Sequence, residues 1–170
     1  MSLHPFVFLL AAGLASIPTP PQGVLDNELT KAANERLAVE TKSFLKELDK
    51  DPRPAAEKDE IRRKLSRVKI QVYTSLKSID DAAAFYAGKI DGAAFLFAER
   101  QLLPDAQEVA SSLGLKLDLA TEKEWAGKTG RSARWRRDDG SLEIDLEEHL
   151  IDPRTARISK KTVVMITSAE

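Results

Sequence analysis

Cysteine is absent from the 170 residues. That removes disulfides, thiol nucleophiles, cysteine-ligated zinc and the lipid-modified cysteine of a bacterial lipoprotein. Histidine occurs only as His4 and His149, so imidazole chemistry beyond the N-terminal segment would rest on a single residue. No serine stands in a Gly-x-Ser-x-Gly elbow. Gly127-Lys128-Thr129 lacks the glycine that a phosphate loop needs five residues earlier, where Glu122 stands. Neither sign of charge is in excess, with 26 Lys plus Arg against 27 Asp plus Glu. The basic surplus or stripe of a nucleic-acid-binding surface is thus missing, and no nucleic-acid partner is expected. With no catalytic constellation and no cofactor motif left, the sequence leans away from an enzyme.

Long apolar runs are also lacking. The one short run, Phe6 to Ala15, falls well below the roughly 20 residues of a membrane-spanning helix but has the length of a signal-peptide hydrophobic region. Gly13 and Ala15 are small residues where a peptidase would cut. Residues 1–15 are therefore expected to be a cleaved export signal, and residues 16–24, with Pro18, Pro20 and Pro21, a linker. The expected location is periplasmic or secreted, with no transmembrane span once the signal is removed. No Lys or Arg precedes the run, so an uncleaved anchor or a core segment stays as the alternative.

Residues 25–170 suit one domain with its own core. Over residues 26–50, Leu25, Leu29, Ala33, Leu37, Thr41, Phe44 and Leu48 recur at spacings of three and four, the pattern of a long amphipathic helix laid on a sheet. Asp51-Pro52-Arg53-Pro54 ends it, and a charged surface helix follows over residues 55–66. Residues 68–119 mix helix and strand. Val68, Ile70, Val72 and Thr74 alternate as a half-buried strand, and Ser78 with Asp81 writes a capping box for a helix ending near Gly88. Residues 93–103 read either as helix, from their alanines, or as a buried strand around Phe95-Leu96-Phe97. Asp105 with Glu108 predicts the start of a helix closed by Gly114. Leu115, Leu117 and Leu119 predict a short strand, and Thr121 with Glu124 a helical turn anchored by Trp125.

The clearest signal is a hairpin over residues 132–149. Asp139-Gly140 predicts a two-residue type I′ turn. Closing there sets Arg136 opposite Glu143, Trp135 opposite Ile144, Arg134 opposite Asp145 and Ala133 opposite Leu146, with apolar side chains on one face and ion pairs on the other. The unbroken Val163-Val164-Met165-Ile166 within residues 162–168 predicts a final strand covered on both sides. The expected class is α+β: an antiparallel sheet of four to five strands with helices on one face, preceded by the long amphipathic helix.

Candidate sites are few. Asp145, Glu147 and His149 share a strand face if the strand stays regular, and are the candidate ligands for a divalent cation, with calcium or zinc as the choices. Against this, the register already gives Glu143 and Asp145 to arginines. Tyr73, Tyr86 and Trp135 are the candidate lining of a pocket between helix and sheet, or else simply core.

Val72-Tyr73-Thr74-Ser75 with Ser78, then Ala84-Phe85-Tyr86, and later the hairpin and the Thr162-Val163-Val164 strand resemble small exported bacterial α+β proteins of unassigned function. The resemblance implies no site residue. A paired-helix start followed by a sheet is also similar in element order to the cone-shaped folds of nuclear transport factor 2 and ketosteroid isomerase. That implies a pocket protein binding or acting on a small apolar molecule. The first expectation is a non-catalytic domain binding an envelope protein or a small ligand; the cone-shaped pocket protein is the alternative.

Overall fold

The computed structural model describes residues 17–90 and 93–169. The Phe6 to Ala15 run, and the cleavage expected after it, lie outside these residues. The described chain is α+β, with six antiparallel strands rather than four or five. They are β1 (Val24–Leu25), β2 (Val68–Ser75), β3 (Leu96–Gln101), β4 (Thr129–Arg136), β5 (Leu142–Glu148) and β6 (Thr162–Ala169), arranged in space as β1-β2-β6-β5-β4-β3. The helices are α1 (Asn27–Lys50), α2 (Ala55–Leu65), α3 (Ile79–Ala87), α4 (Leu102–Ser112) and α5 (Leu119–Trp125). Among the described residues no helix is long and apolar enough to cross a membrane.

The hairpin has the register written in its sequence, with Arg136, Trp135, Arg134 and Ala133 opposite Glu143, Ile144, Asp145 and Leu146. Its turn is different. Arg137 N–H donates to Leu142 O at 2.9 Å and Gly140 N–H to Arg137 O at 2.8 Å. The loop is therefore four residues long, Asp138 and Asp139 are the centre of its β-turn, and of the four only Gly140 takes a positive φ, +68°. A type I′ turn would need positive φ at Asp139 as well. Asp139 is held instead by its carboxylate, which accepts from Ser141 N–H at 2.8 Å and Ser141 Oγ at 2.6 Å. The register survives because both loops are centred on the same point.

One face of the sheet makes the core. Ile79, Ala82, Ala83 and Tyr86 of α3 pack on Ala133, Trp135, Leu142, Ile144, Leu146, Val164 and Ile166. Each fully buried Leu or Ile there contributes about 1.5–3 kcal/mol. The α3 start has its box: Asp81 N–H donates to Ser78 Oγ at 3.1 Å and Ser78 N–H to Asp81 Oδ2 at 3.3 Å. β6 lies centrally between β2 and β5, and Val163 and Val164, on opposite faces, are both buried.

Three local expectations are corrected. Leu115 to Leu119 is not a strand: Leu115 and Leu119 are exposed, and Asp118 caps α5 by accepting from Thr121 N–H at 2.8 Å, so Thr121 is not the cap. Alternation alone makes no strand without a neighbouring edge to pair with. α4 begins at Leu102 rather than at Asp105. Pro104 is tolerated in its first turn because that N–H has no helical partner to lose. The long helix α1 lies along the edge of β2 instead of across the sheet, and Leu48 is its one buried residue.

Candidate functional site

Tyr86 is fully buried, its hydroxyl donating to Pro18 O at 3.1 Å, and burial pushes its pKa up. Trp135 is buried in the same cluster, and Tyr73 packs against it half-buried. These three aromatics are brought together in the core cluster beneath α3 and the Ile17–Pro18 segment. Two surface cavities lie elsewhere. One, of about 550 Å³, is a groove between α1 and α2 floored by Leu37, Leu45, Leu65 and Val68. The other, of about 340 Å³, lies between the start of α1 and the loop that precedes β6, around Asp152 and Arg157.

The opposite face of the hairpin carries the acidic row. Arg134 Nε pairs with Asp145 and lies 3.5 Å from Glu143. Burial, then the neighbouring Asp145 carboxylate, raises the pKa of Glu143. Burial also raises Glu147, only partly offset by Arg100 at 3.8 Å. His149 does not join them. Its φ of +57° ends the strand's alternation; its ring lies edge-on to buried Trp125, with centroids 5.1 Å apart, and Nδ1 is 3.0 Å from Ser159 O. Among the described residues no group of three or more His, Asp or Glu side chains is disposed to hold a metal ion. Asp145, Glu147 and His149 are therefore an ion-paired acid, a half-buried acid and a packed ring.

The two edges of the sheet differ in a way that carries more chemistry. At β2 the outward backbone groups from Ile70 to Thr74 are closed. Val24 and Leu25 pair with Thr74 and Tyr73, and Asp26 N–H donates to Val72 O at 2.8 Å. Then α1 takes over with side chains one turn apart. Thr30 Oγ1 accepts from Val72 N–H at 3.0 Å; Asn34 Oδ1 accepts from Ile70 N–H at 3.1 Å and Asn34 Nδ2 donates to Ile70 O at 2.7 Å. A helix edge thus substitutes for a strand.

At β3 nothing comparable is found among the described residues. Leu102 N–H donates to Lys128 O at 3.1 Å, just beyond the Gln101↔Thr129 pair. Alternation then makes Arg100–Gly130, Ala98–Ser132 and Leu96–Arg134 the bonded pairs and turns the N–H and C=O groups of Phe97 and Glu99 outward. The strand is exposed nearly throughout, with Leu96 78% and Phe97 50% accessible. A Phe-Leu-Phe run bounded by a glycine and a proline suggested burial; what places it at an edge is the strand order, which local periodicity does not contain.

The chain matches no protein-family model, no curated protein and no solved structure.

Proposed function

We propose that this is an exported, non-catalytic binding domain that takes an extended segment of an envelope protein onto the free edge of β3. The observation that carries the reading is the pair of outward-facing backbones at Phe97 and Glu99 beside the exposed side chains of Leu96 and Phe97. Strand addition uses such an edge: main-chain hydrogen bonds supply affinity, and the alternating side chains supply selectivity. The closed β2 edge gives the domain one receptive side. Among the described residues, half of the large exposed apolar side chains, those of Leu96, Phe97, Leu113, Leu115 and Leu119, fall between β3 and the start of α5. Export is supported by the short apolar run from Phe6 to Ala15 with the small residues Gly13 and Ala15 at its end.

The test is selection of random displayed peptides on the purified domain and on Glu99→Pro. Proline at 99 removes an outward N–H and leaves the β3–β4 ladder whole. The wild type should enrich peptides with alternating apolar residues, and Glu99→Pro, melting at nearly the same temperature, should lose them. Equal enrichment by both, or by neither, contradicts the reading. Export is tested by the intact mass of the protein recovered from a Gram-negative periplasm: a species beginning near Ser16 supports it, and full-length protein retained in cytoplasm or membrane contradicts it.

A further inference from the structure

We infer that the surface beneath residues 17–21 is a second docking site, apart from β3, for a proline-rich extended segment of another protein, and that the chain's own Pro18-Thr19-Pro20-Pro21 occupies it in the free domain. This strap runs from α3 to the end of β2. Tyr86 Oη donates to Pro18 O at 3.1 Å and Ser75 Oγ to Pro21 O at 2.9 Å, and both donor residues are buried. The two carbonyls stand three residues apart, one turn of a polyproline II helix, which sets both on the same side. Proline fixes its own φ and holds the residue before it extended, and Ile17, Thr19 and Pro20 each precede a proline. Ile17 packs against the core cluster, and Pro20 is buried.

What the site can pair selects its occupant. Both hydroxyls are spent as donors, and Ser75 Oγ also accepts from Lys77 N–H at 3.0 Å. An ordinary strand would bury an amide N–H at the place of Pro20, where proline brings none to satisfy. The strap itself is seated under a constraint. It turns back at residues 20–23 to join β1, Gly23 N–H donating to Pro20 O at 2.8 Å, and the turn sets Gln22 at φ +54°. Leaving the site relaxes that left-handed residue. Only Gln22 and Gly23 separate Pro21 from β1, a reach of at most about 11 Å. Exchange of straps between two copies would therefore have to draw their β1 edges together, whereas a separate segment carries no such tether.

The experiment titrates a fluorescent peptide, Ile-Pro-Thr-Pro-Pro-Ala, with the full chain. The tethered strap competes at an effective concentration on the order of millimolar, so the wild type should bind weakly. Gly23→Ala sets a Cβ 2.5 Å from Pro20 Cγ and 2.8 Å from Pro20 O, which lifts the strap and leaves Tyr86 and Ser75 in place. It should bind the peptide about tenfold tighter or more. Adding Tyr86→Phe or Ser75→Ala should weaken that binding about fivefold, and a peptide with alanine for its middle proline should lose about tenfold, because it buries an N–H. Glu99→Pro should change none of this, which separates the site from the β3 edge. The inference is overturned if neither Gly23→Ala nor Pro20→Asp binds the peptide, whether folded or not, or if the alanine peptide binds equally well. A wild type that dimerises with concentration and loses the dimer on Tyr86→Phe gives the site to a second copy and overturns the choice of a separate protein.

Discussion

Asn34 closes both backbone groups of Ile70 with one side chain, its Oδ1 taking the N–H at 3.1 Å and its Nδ2 giving to the C=O at 2.7 Å. The carboxamide stands in for the peptide group of a missing neighbour strand. Asn34→Leu removes these two hydrogen bonds, together with a third from Nδ2 to Thr30 O at 2.7 Å, and leaves a half-buried peptide unpaired, so urea denaturation should show a loss of about 2 kcal/mol. Thr30→Val keeps the shape and removes one acceptor, and should cost about 1 kcal/mol. If Asn34→Leu is neutral, α1 does not seal the edge.

Gly130 is required by a close approach. A Cβ there would lie 2.8 Å from Leu102 Cδ2 and 3.1 Å from Glu148 O. Leu102 is fully buried and cannot swing aside without shifting the start of α4. Gly130→Ala should destabilise by about 1–3 kcal/mol, and adding Leu102→Val should recover part of that loss in the double variant. No recovery would mean that the cost lies in the Glu148 carbonyl.

Arg131 links β4 to α3 and β5, reaching Asp80 at 2.8 Å and Glu148 at 3.0 Å. Its hydrogen bonds hold both carboxyl groups below their ordinary pKa range. Because the folded pKa values are depressed, this stability is present above the ordinary carboxylate pKa and is lost as pH falls through the folded values. Arg131→Met should lower Tm at neutral pH, and the gap to wild type should close in acid. A gap that stays constant with pH would assign the loss to packing alone.

Glu147 has the opposite sign. Burial raises its pKa, so the folded state binds a proton that the unfolded chain has already released, and stability falls as pH rises from the ordinary glutamate value through the raised one. Glu147→Gln should therefore raise Tm at pH 8 and make little difference at acid pH. A lower Tm at pH 8 would mean that the Arg100 pairing outweighs the burial.

Much of the fold was legible because its signals are local. Residues Ala133 to Leu146 carry parity and charge pairing on both arms, so the register followed even though the turn did not: a four-residue loop and a two-residue loop centred alike serve the same strands. The Ser78/Asp81 box, the Gly114 stop and the unbroken Val163-Val164 run were legible for the same reason. The alternation from Leu115 to Leu119 misled because whether a strand forms depends on a free edge to join. The place of Phe95-Leu96-Phe97 was hidden for a related reason: burial of a strand depends on its neighbours in space, and β3 is last in a strand order set by long-range pairing. His149 failed as a ligand because one positive φ turned its ring from the acidic face toward Trp125.

The most direct measurement is amide hydrogen exchange across β3 with and without a peptide selected on the wild type. The N–H groups of Ala98 and Arg100 point to β4 and should be protected in both states. Those of Phe97 and Glu99 point outward and should exchange fast in the free protein and become protected when the peptide is added, its strand taking them up. Fast exchange of Phe97 and Glu99 in both states, beside protected Ala98 and Arg100, would contradict strand addition at this edge.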